Sequence, residues 1–163
     1  MIAPPRNRVD LHTHTARSDG ILEPTELYAQ MRSWGAALVA VTDHDTLAGA
    51  RELIAAGLGG DDRDGPRLIV GVEINTAVDA EVEAVGGTEE RLGELHILGL
   101  GVDLDDLGFE AVLAQQRDGR AQRLELTLER LREIGLDVDG HLPHTAGGID
   151  ALGRPHVARA LVS

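Results

Sequence analysis

His12 and His14 stand two residues apart, so on an extended strand both imidazoles leave the same face and can converge on one ion. Asp10 shares that face and is placed to orient an imidazole through its second nitrogen, and Asp19 follows in the next polar segment. Asp43, His44 and Asp45 make a second group, Glu73 a third, and Glu94 with His96 a fourth. Taken alone, a pair spaced like His12 and His14 is more often incidental than a ligand set. Four such groups in one chain change that balance, because imidazoles and carboxylates together are the donor set of a divalent-metal hydrolase site. A bound ion lowers the pKa of water toward 7, and neighbouring ions stabilise the attacking and leaving oxygens of a phosphoester. These donors suit Mn, Zn or Fe, with Mg open beside them, and no thiolate competes because the chain contains no cysteine.

The elements that must hold these groups can be read from periodicity. Residues 8–13 alternate as a short strand and run into a polar loop from Thr15 to Gly20. Pro24 opens a helix carrying Leu27, Met31 and Trp34 at helical spacing, and Gly35 stops it. Leu38 to Val41 is short and apolar enough for a buried strand, a helix follows from about Thr46 to Ala56 with Gly57 as its stop, and Leu68 to Ile74 reads as a third buried strand after a Gly and Asp loop. Residues 76–85 and 94–102 are expected to be further strands, separated by the turn-forming Gly86, Gly87 and Thr88. The alternation predicts an α/β fold with a mostly parallel sheet or barrel and helices outside it. Each candidate group then falls at a strand end, where open α/β folds present functional side chains. From Asp105 a long helical stretch begins, with Phe109, Val112, Leu113, Leu124, Leu128, Leu131 and Ile134 near helical periodicity and Gly135 as its stop. Arg117, Arg120, Arg123 and Arg130 are spaced so that several share a face. A short terminal helix is expected from Val157 to Val162. His141 and His144, in a Gly and Pro loop without carboxylate partners, read as loop residues.

Composition narrows the chemistry further. The formal balance of 15 basic against 28 acidic residues, a net charge of −13, excludes a broad surface for nucleic-acid backbone, so an anionic substrate must be captured locally. Bound ions would do that, being the largest charges in such a site. Every basic residue is arginine, which removes Schiff-base and P-loop lysine chemistry along with thiol nucleophiles. Only Tyr28, Trp34 and Phe109 are aromatic, so base-stacking platforms are poorly supplied. No apolar run approaches membrane-spanning length and the N-terminus lacks the core of a signal peptide, so a cytoplasmic protein without a membrane partner is expected. The oligomeric state is open.

Val9 to Thr15 (VDLHTHT), Ser18 to Gly20 (SDG), Val41 to Thr46 (VTDHDT), Gly71 to Ile74 (GVEI) and Glu94 to Gly99 (ELHILG) occur in the order of the polymerase and histidinol phosphatase (PHP) family, which the chain resembles over nearly its whole length. Leu113 to Arg132 and Gly153 to Leu161 resemble the insertion of the branch that hydrolyses phosphate from small nucleotides, such as nucleoside 3′,5′-bisphosphates, or from RNA ends. The resemblance implies a distorted seven-stranded β/α barrel with up to three divalent ions, of which residues 1–104 would be the N-terminal part and residues 105–163 the start of a helical insertion. It makes His12 and His14 ligands of one ion, Asp19 and His44 ligands of another, Glu73 the bridging carboxylate and His96 a ligand of the remaining ion. Asp43 and Asp10 would support the ligands, and Arg117, Arg120 and Arg154 with His156 would clamp a phosphate. For the helix arginines, a solvated face paired with Glu is an equal alternative. The family's later His-Pro and Asp-x-His elements do not occur before Ser163, so the chain is expected to be an N-terminal part. Two alternatives follow, a metal-binding half-domain without catalysis and a phosphatase of another substrate such as histidinol phosphate.

Overall fold

A computed structural model describes residues 7–60, 65–77, 81–83, 89–91, 94–143 and 152–162. Strand β1 (Arg8–Thr13) leads through the polar loop to helix α1 (Pro24–Ser33), strand β2 (Ala36–Val41), helix α2 (Ala48–Ala55) and strand β3 (Arg67–Ala77). Short strands β4 (Glu81–Glu83) and β5 (Glu89–Arg91) pair with each other, β6 (Glu94–Leu100) returns to the main sheet, and the chain closes with the long helix α3 (Leu107–Glu133) and with α4 (Arg154–Leu161). Among these residues no helix is long and apolar enough to cross a membrane.

The main sheet has the order β1-β2-β3-β6. Its first three strands are parallel, as expected for strands joined by helical crossovers, but β6 is antiparallel to β3. Of the strand expected over 76–85, residues 76 and 77 belong to β3 and 81–83 to β4, while the others lie outside the described residues. The expected turn at Gly86, Gly87 and Thr88 lies outside the described residues, as do His144 and the side chain of Glu94. Antiparallel pairing explains the longer β3, because its far half is a ladder from Gly71↔Leu100 to Ala77↔Glu94 and needs no crossover helix.

α1 starts at Pro24, whose missing N–H costs nothing in a first turn, and Glu26 accepts the backbone N–H of Glu23 at 3.1 Å. Leu27, Tyr28 and Met31 bury against Val39, Val41 and Leu53 to form the core beneath the sheet. Trp34, expected on that apolar face, lies past the helix end and is 52% exposed. Gly35 and Gly135 adopt φ of 76° and 83°, the left-handed geometry that ends α1 and α3 at little steric cost. The terminal helix begins three residues earlier than periodicity implies, at Arg154, because Pro155 fits its first turn. Leu124 and Leu128 of α3 join Val138, Leu152, Val157 and Ala160 in a core of their own, while Leu113 of α3 packs on Leu47 and Val72 beside the sheet. Val112 and Ile134, assigned to the helix's apolar stripe, are exposed.

Candidate metal centre

The parallel register aligns the ends of β1 and β2, with Thr13 opposite Val41, and an isolated bridge sets His44 beside Glu73. Strand alternation points His12 and His14 the same way, and both rings reach one carboxylate. Their Nε2 atoms lie 2.9 and 3.0 Å from Glu73 Oε2. His44 Nδ1 lies 3.5 Å from the same oxygen, and His96 Nδ1 is 2.6 Å from Oε1. Asp19 closes the other side, with its oxygens 3.1 Å from His14 Nδ1 and 3.5 Å from His44 Nε2. All six residues expected to hold metal therefore meet around Glu73 and Asp19. They form three overlapping groups, His12–His14–Glu73, His14–Asp19–His44 and His44–Glu73–His96, in each of which the ligand atoms lie within 4.8 Å of one another.

The donor set fits divalent ions on an independent ground. His44 Nδ1 is buried and makes no hydrogen bond, a costly state for a ring nitrogen unless something else occupies its lone pair.

The loop from Thr15 to Gly20 is held by Asp43, which is fully buried. Its Oδ1 accepts from the Thr15 amide and from Ser18 Oγ, and its Oδ2 from Thr15 Oγ1, each at 2.7 Å. Ser18 Oγ in turn lies 3.4 Å from His14 Nδ1, so a chain of hydrogen bonds runs from Asp43 through the loop to an imidazole. Gly49 of α2 allows this approach, since any side chain there would sit 2.2 Å from Asp43 Oδ2. Arg17 fastens the loop from outside by pairing with Glu23 at 2.8 Å and Glu52 at 2.7 Å. Asp10, expected to orient an imidazole, instead accepts from the His12 backbone N–H at 3.3 Å, because the strand turns its carboxylate back on its own backbone.

A cavity of about 500 Å³ opens from the centre toward the helices. Asp19, His44, Asn75 and His96 line its floor, and Arg120, Arg123, Leu124 and Arg154 are among the residues of its walls. Of the residues expected to clamp phosphate, Arg120 and Arg154 are placed on it. Arg117 and His156 are not. Arg117 donates to the Asp45 carbonyl and to Glu110, both at 2.9 Å, the carboxylate lying two turns earlier on the same helix. His156 is buried and its Nδ1 accepts the Gly153 N–H at 3.1 Å, capping α4. Burial lowers its pKa, helped by the neighbouring cations Arg159 and Arg120. His141 is exposed in a single helical turn, as a loop residue would be.

Asn75 is absent from the residues expected at the site, and Asp45 and Arg123, although grouped with their neighbours in the sequence, carry no site role there. Asp45 is fully buried with φ of 53°, pairs with Arg120, and accepts the Asn75 N–H at 3.2 Å. Its place beside His44 was the available signal. Arg123 follows Arg120 by three positions on α3, so the shared helical face already pointed to it.

Burial disfavours charge on Asp19, but His14 and His44 outweigh it and hold the carboxyl well below the usual carboxylate range. Glu73 is depressed for the same reason, burial being overcome by His12, His44, His96 and His14. Burial also opposes protonation of His14, yet the hydrogen-bonded Asp19, with Glu73 and Asp43, raises it above its ordinary 6.5. Depressed carboxyls stabilise the fold above their unfolded values near ~4 and lose this as pH falls through the folded values, whereas the raised His14 stabilises below about 6.5 and loses this as pH rises through its folded value. The chain kept in chelator is therefore expected to melt highest at about pH 5–6 and lower toward about pH 8. Ions compete with protons for the same atoms, so added Mn should raise the melting temperature most at the alkaline end. Thermal melts across pH, with and without Mn, check both trends; a metal-free optimum above pH ~7.5 would contradict the assignment of His14.

Residues 10–146 match the family model described as PHP domain. The chain is 36% identical over 159 residues to the 5′-3′ exoribonuclease Rnm of Escherichia coli (strain K12), covering 94% of this chain and 47% of that protein. It is 32% identical over 164 residues to the 3′,5′-nucleoside bisphosphate phosphatase of Chromobacterium violaceum, covering 94% and 49%. A solved structure of an amidohydrolase from Chromobacterium violaceum, holding sulfate and no metal, superposes with a TM-score of 0.76 at 30% identity over 94% of this chain and 49% of that one. The chain thus spans about half the length of the curated relatives it matches. With the motif residues gathered at one sheet edge and the family model spanning most of the sequence, the chain belongs to the PHP domain family.

Proposed function

We propose that this chain carries the first half of a metal-dependent phosphoesterase site acting on small nucleotides, such as nucleoside 3′,5′-bisphosphates, or on RNA ends. The observation that carries this is Glu73, whose carboxylate meets four imidazoles while Asp19 meets two of them. In this proposal His12, His14, Asp19, His44, Glu73 and His96 hold up to three divalent ions. When bound, such ions supply an activated water and neutralise phosphate charge. The chain's own residues do the rest. Asp43 fixes the loop that carries Asp19, Glu73 keeps the imidazoles converged, and Arg154 and Arg123 line the cavity where a phosphate ester would lie, giving a strongly acidic chain a local cationic wall. Arg120 faces the same cavity with its charge matched by Asp45, so it orients more than it attracts.

Two relatives named for nucleotide and RNA chemistry support the substrate class. The same proposal makes the four-stranded sheet part of a seven-stranded barrel, residues 1–104, and α3 with α4 its helical insertion, residues 105–163.

The test is phosphate release from a nucleoside 3′,5′-bisphosphate and from 5′-phosphorylated RNA by the purified chain with Mn. Release is expected, with His14→Ala lowering it by at least about a hundredfold. Metal uptake without any release would instead identify a metal-binding half-domain.

A further inference from the structure

Asp45 is fully buried, yet it is joined to three residues that line the cavity. It follows His44 in the chain, its Oδ1 accepts the Asn75 backbone N–H at 3.2 Å, and its Oδ2 pairs with Arg120. The backbone explains this placement. The Glu73 N–H donates to the Asp43 carbonyl at 3.2 Å and the Asp45 N–H to the Glu73 carbonyl at 3.0 Å, so residues 43–45 run beside 73–75 through a short parallel bridge. At φ of 53° the chain then turns away, and the Asp45 carboxylate takes the next amide in place of a backbone carbonyl. Its other oxygen is left for Arg120 of α3. Arg117, Arg120 and Arg123 follow one another along that helix at steps of about 4.5 Å. Glu110 pairs with Arg117 and Asp45 with Arg120, whereas among the described residues no carboxylate pairs with Arg123, which is exposed. Positive charge on the cavity wall is thus cancelled beside the Asp45 that follows His44, and uncancelled one turn further along α3.

We propose that Asp45 is a positioning residue that sets anion affinity: it holds Arg120 on the cavity wall with its charge cancelled, so that the wall orients an anion without retaining it. An uncancelled guanidinium there would add its pull to that of bound divalent ions. Attraction felt equally by substrate, transition state and product does not speed a chemical step, and it slows departure of the product. Asp45 removes that excess while its bond to the Asn75 amide keeps the carboxylate, and with it Arg120, in one place. The inference rests on the phosphoesterase proposal, which makes phosphate the anion, and adds to it how the released phosphate leaves.

The test is binding of inorganic phosphate to the full chain in chelator, measured by titration calorimetry. Asp45→Asn removes the charge but keeps an acceptor for the Asn75 amide and a residue type that tolerates the backbone at this position. It is expected to bind phosphate about tenfold more tightly than the unaltered chain. Combining it with Arg120→Gln, which leaves a neutral pair, should return the affinity to that of the unaltered chain or below, because the gain is the released charge of Arg120. Asp45→Gly, also suited to positive φ, gives the same reading should the asparagine variant not fold. A purely structural role predicts the opposite sign, since a loosened wall weakens binding. Unchanged or weaker phosphate binding in these variants, a gain that persists without Arg120, or failure of both Asp45 variants to fold overturns the proposal. The two proposals fail separately. Phosphate release by the unaltered chain with no gain of affinity in Asp45→Asn removes the charge cancellation alone, and a gain of affinity in a chain that releases no phosphate from a nucleoside 3′,5′-bisphosphate removes the phosphoesterase alone.

Discussion

Glu73→Gln is expected to abolish stoichiometric metal uptake and to lower phosphate release by more than about a hundredfold, beyond the 10- to 100-fold typical of groups that only support ligands. The substitution is nearly isosteric, so it isolates charge. In the unaltered chain one carboxylate lies within 3.5 Å of nitrogens from His12, His14, His44 and His96, three of them on a single oxygen. A neutral amide would present an N–H₂ where an oxygen stood, and two adjacent ions would lose the anion between them. Metal content by mass spectrometry and initial rates on a nucleoside 3′,5′-bisphosphate measure the two losses independently. Full metal content in Glu73→Gln would show that the imidazoles and Asp19 suffice, and the bridging role would have to be abandoned.

Asp45→Ala should cost about 3–5 kcal/mol of folding stability, the range for removing one partner of a buried ion pair. Asp45 is fully buried and its partner Arg120 nearly so, with Nε already unpartnered, so the guanidinium would be left without compensation. The backbone adds to this. Asp45 sits at φ of 53°, a region that aspartate and asparagine tolerate better than alanine. Asp45→Asn keeps the conformation and the bond to the Asn75 amide, so it should lose less. Denaturant titrations of the variants give the difference directly. A cost for Asp45→Ala no larger than about 0.5 kcal/mol, the scale of a surface change, would falsify this account of how α3 is fastened to the sheet.

The cluster of imidazoles and carboxylates was legible because its members are local events on or beside strands. The two-residue spacing of His12 and His14 already places both rings on one face, and His44, Glu73 and His96 each sit where a strand meets its neighbour at the same edge. Asp43 was legible as a supporting residue but not its mode of action, since hydrogen bonds to Thr15 and Ser18 depend on how tightly Gly49 lets α2 approach. The arginines were harder. Periodicity gives Arg117 and Arg120 the same helical face, yet the choice between phosphate and protein partners depends on Asp45, which lies 75 residues away from Arg120 in the chain. The reversal of β6 was hidden for a similar reason: a strand's pattern of alternation reads the same in either direction, and the described residues between β3 and β6 include no helix that would have forced a parallel return.

Helix α3 is continuous over 27 residues, about 40 Å, but its burial is not. Up to Arg120 it is fastened to the sheet through Leu113 and the two contacts to Asp45; beyond, its buried residues Leu124 and Leu128 belong to the small core shared with α4. One rod therefore belongs to two cooperative units, and amide protection along it should step down after Arg120 instead of fading evenly toward both ends. The loosest place on the cavity wall would then be the stretch carrying Arg123 and Thr127, so local opening there widens the cavity while the imidazole cluster stays assembled.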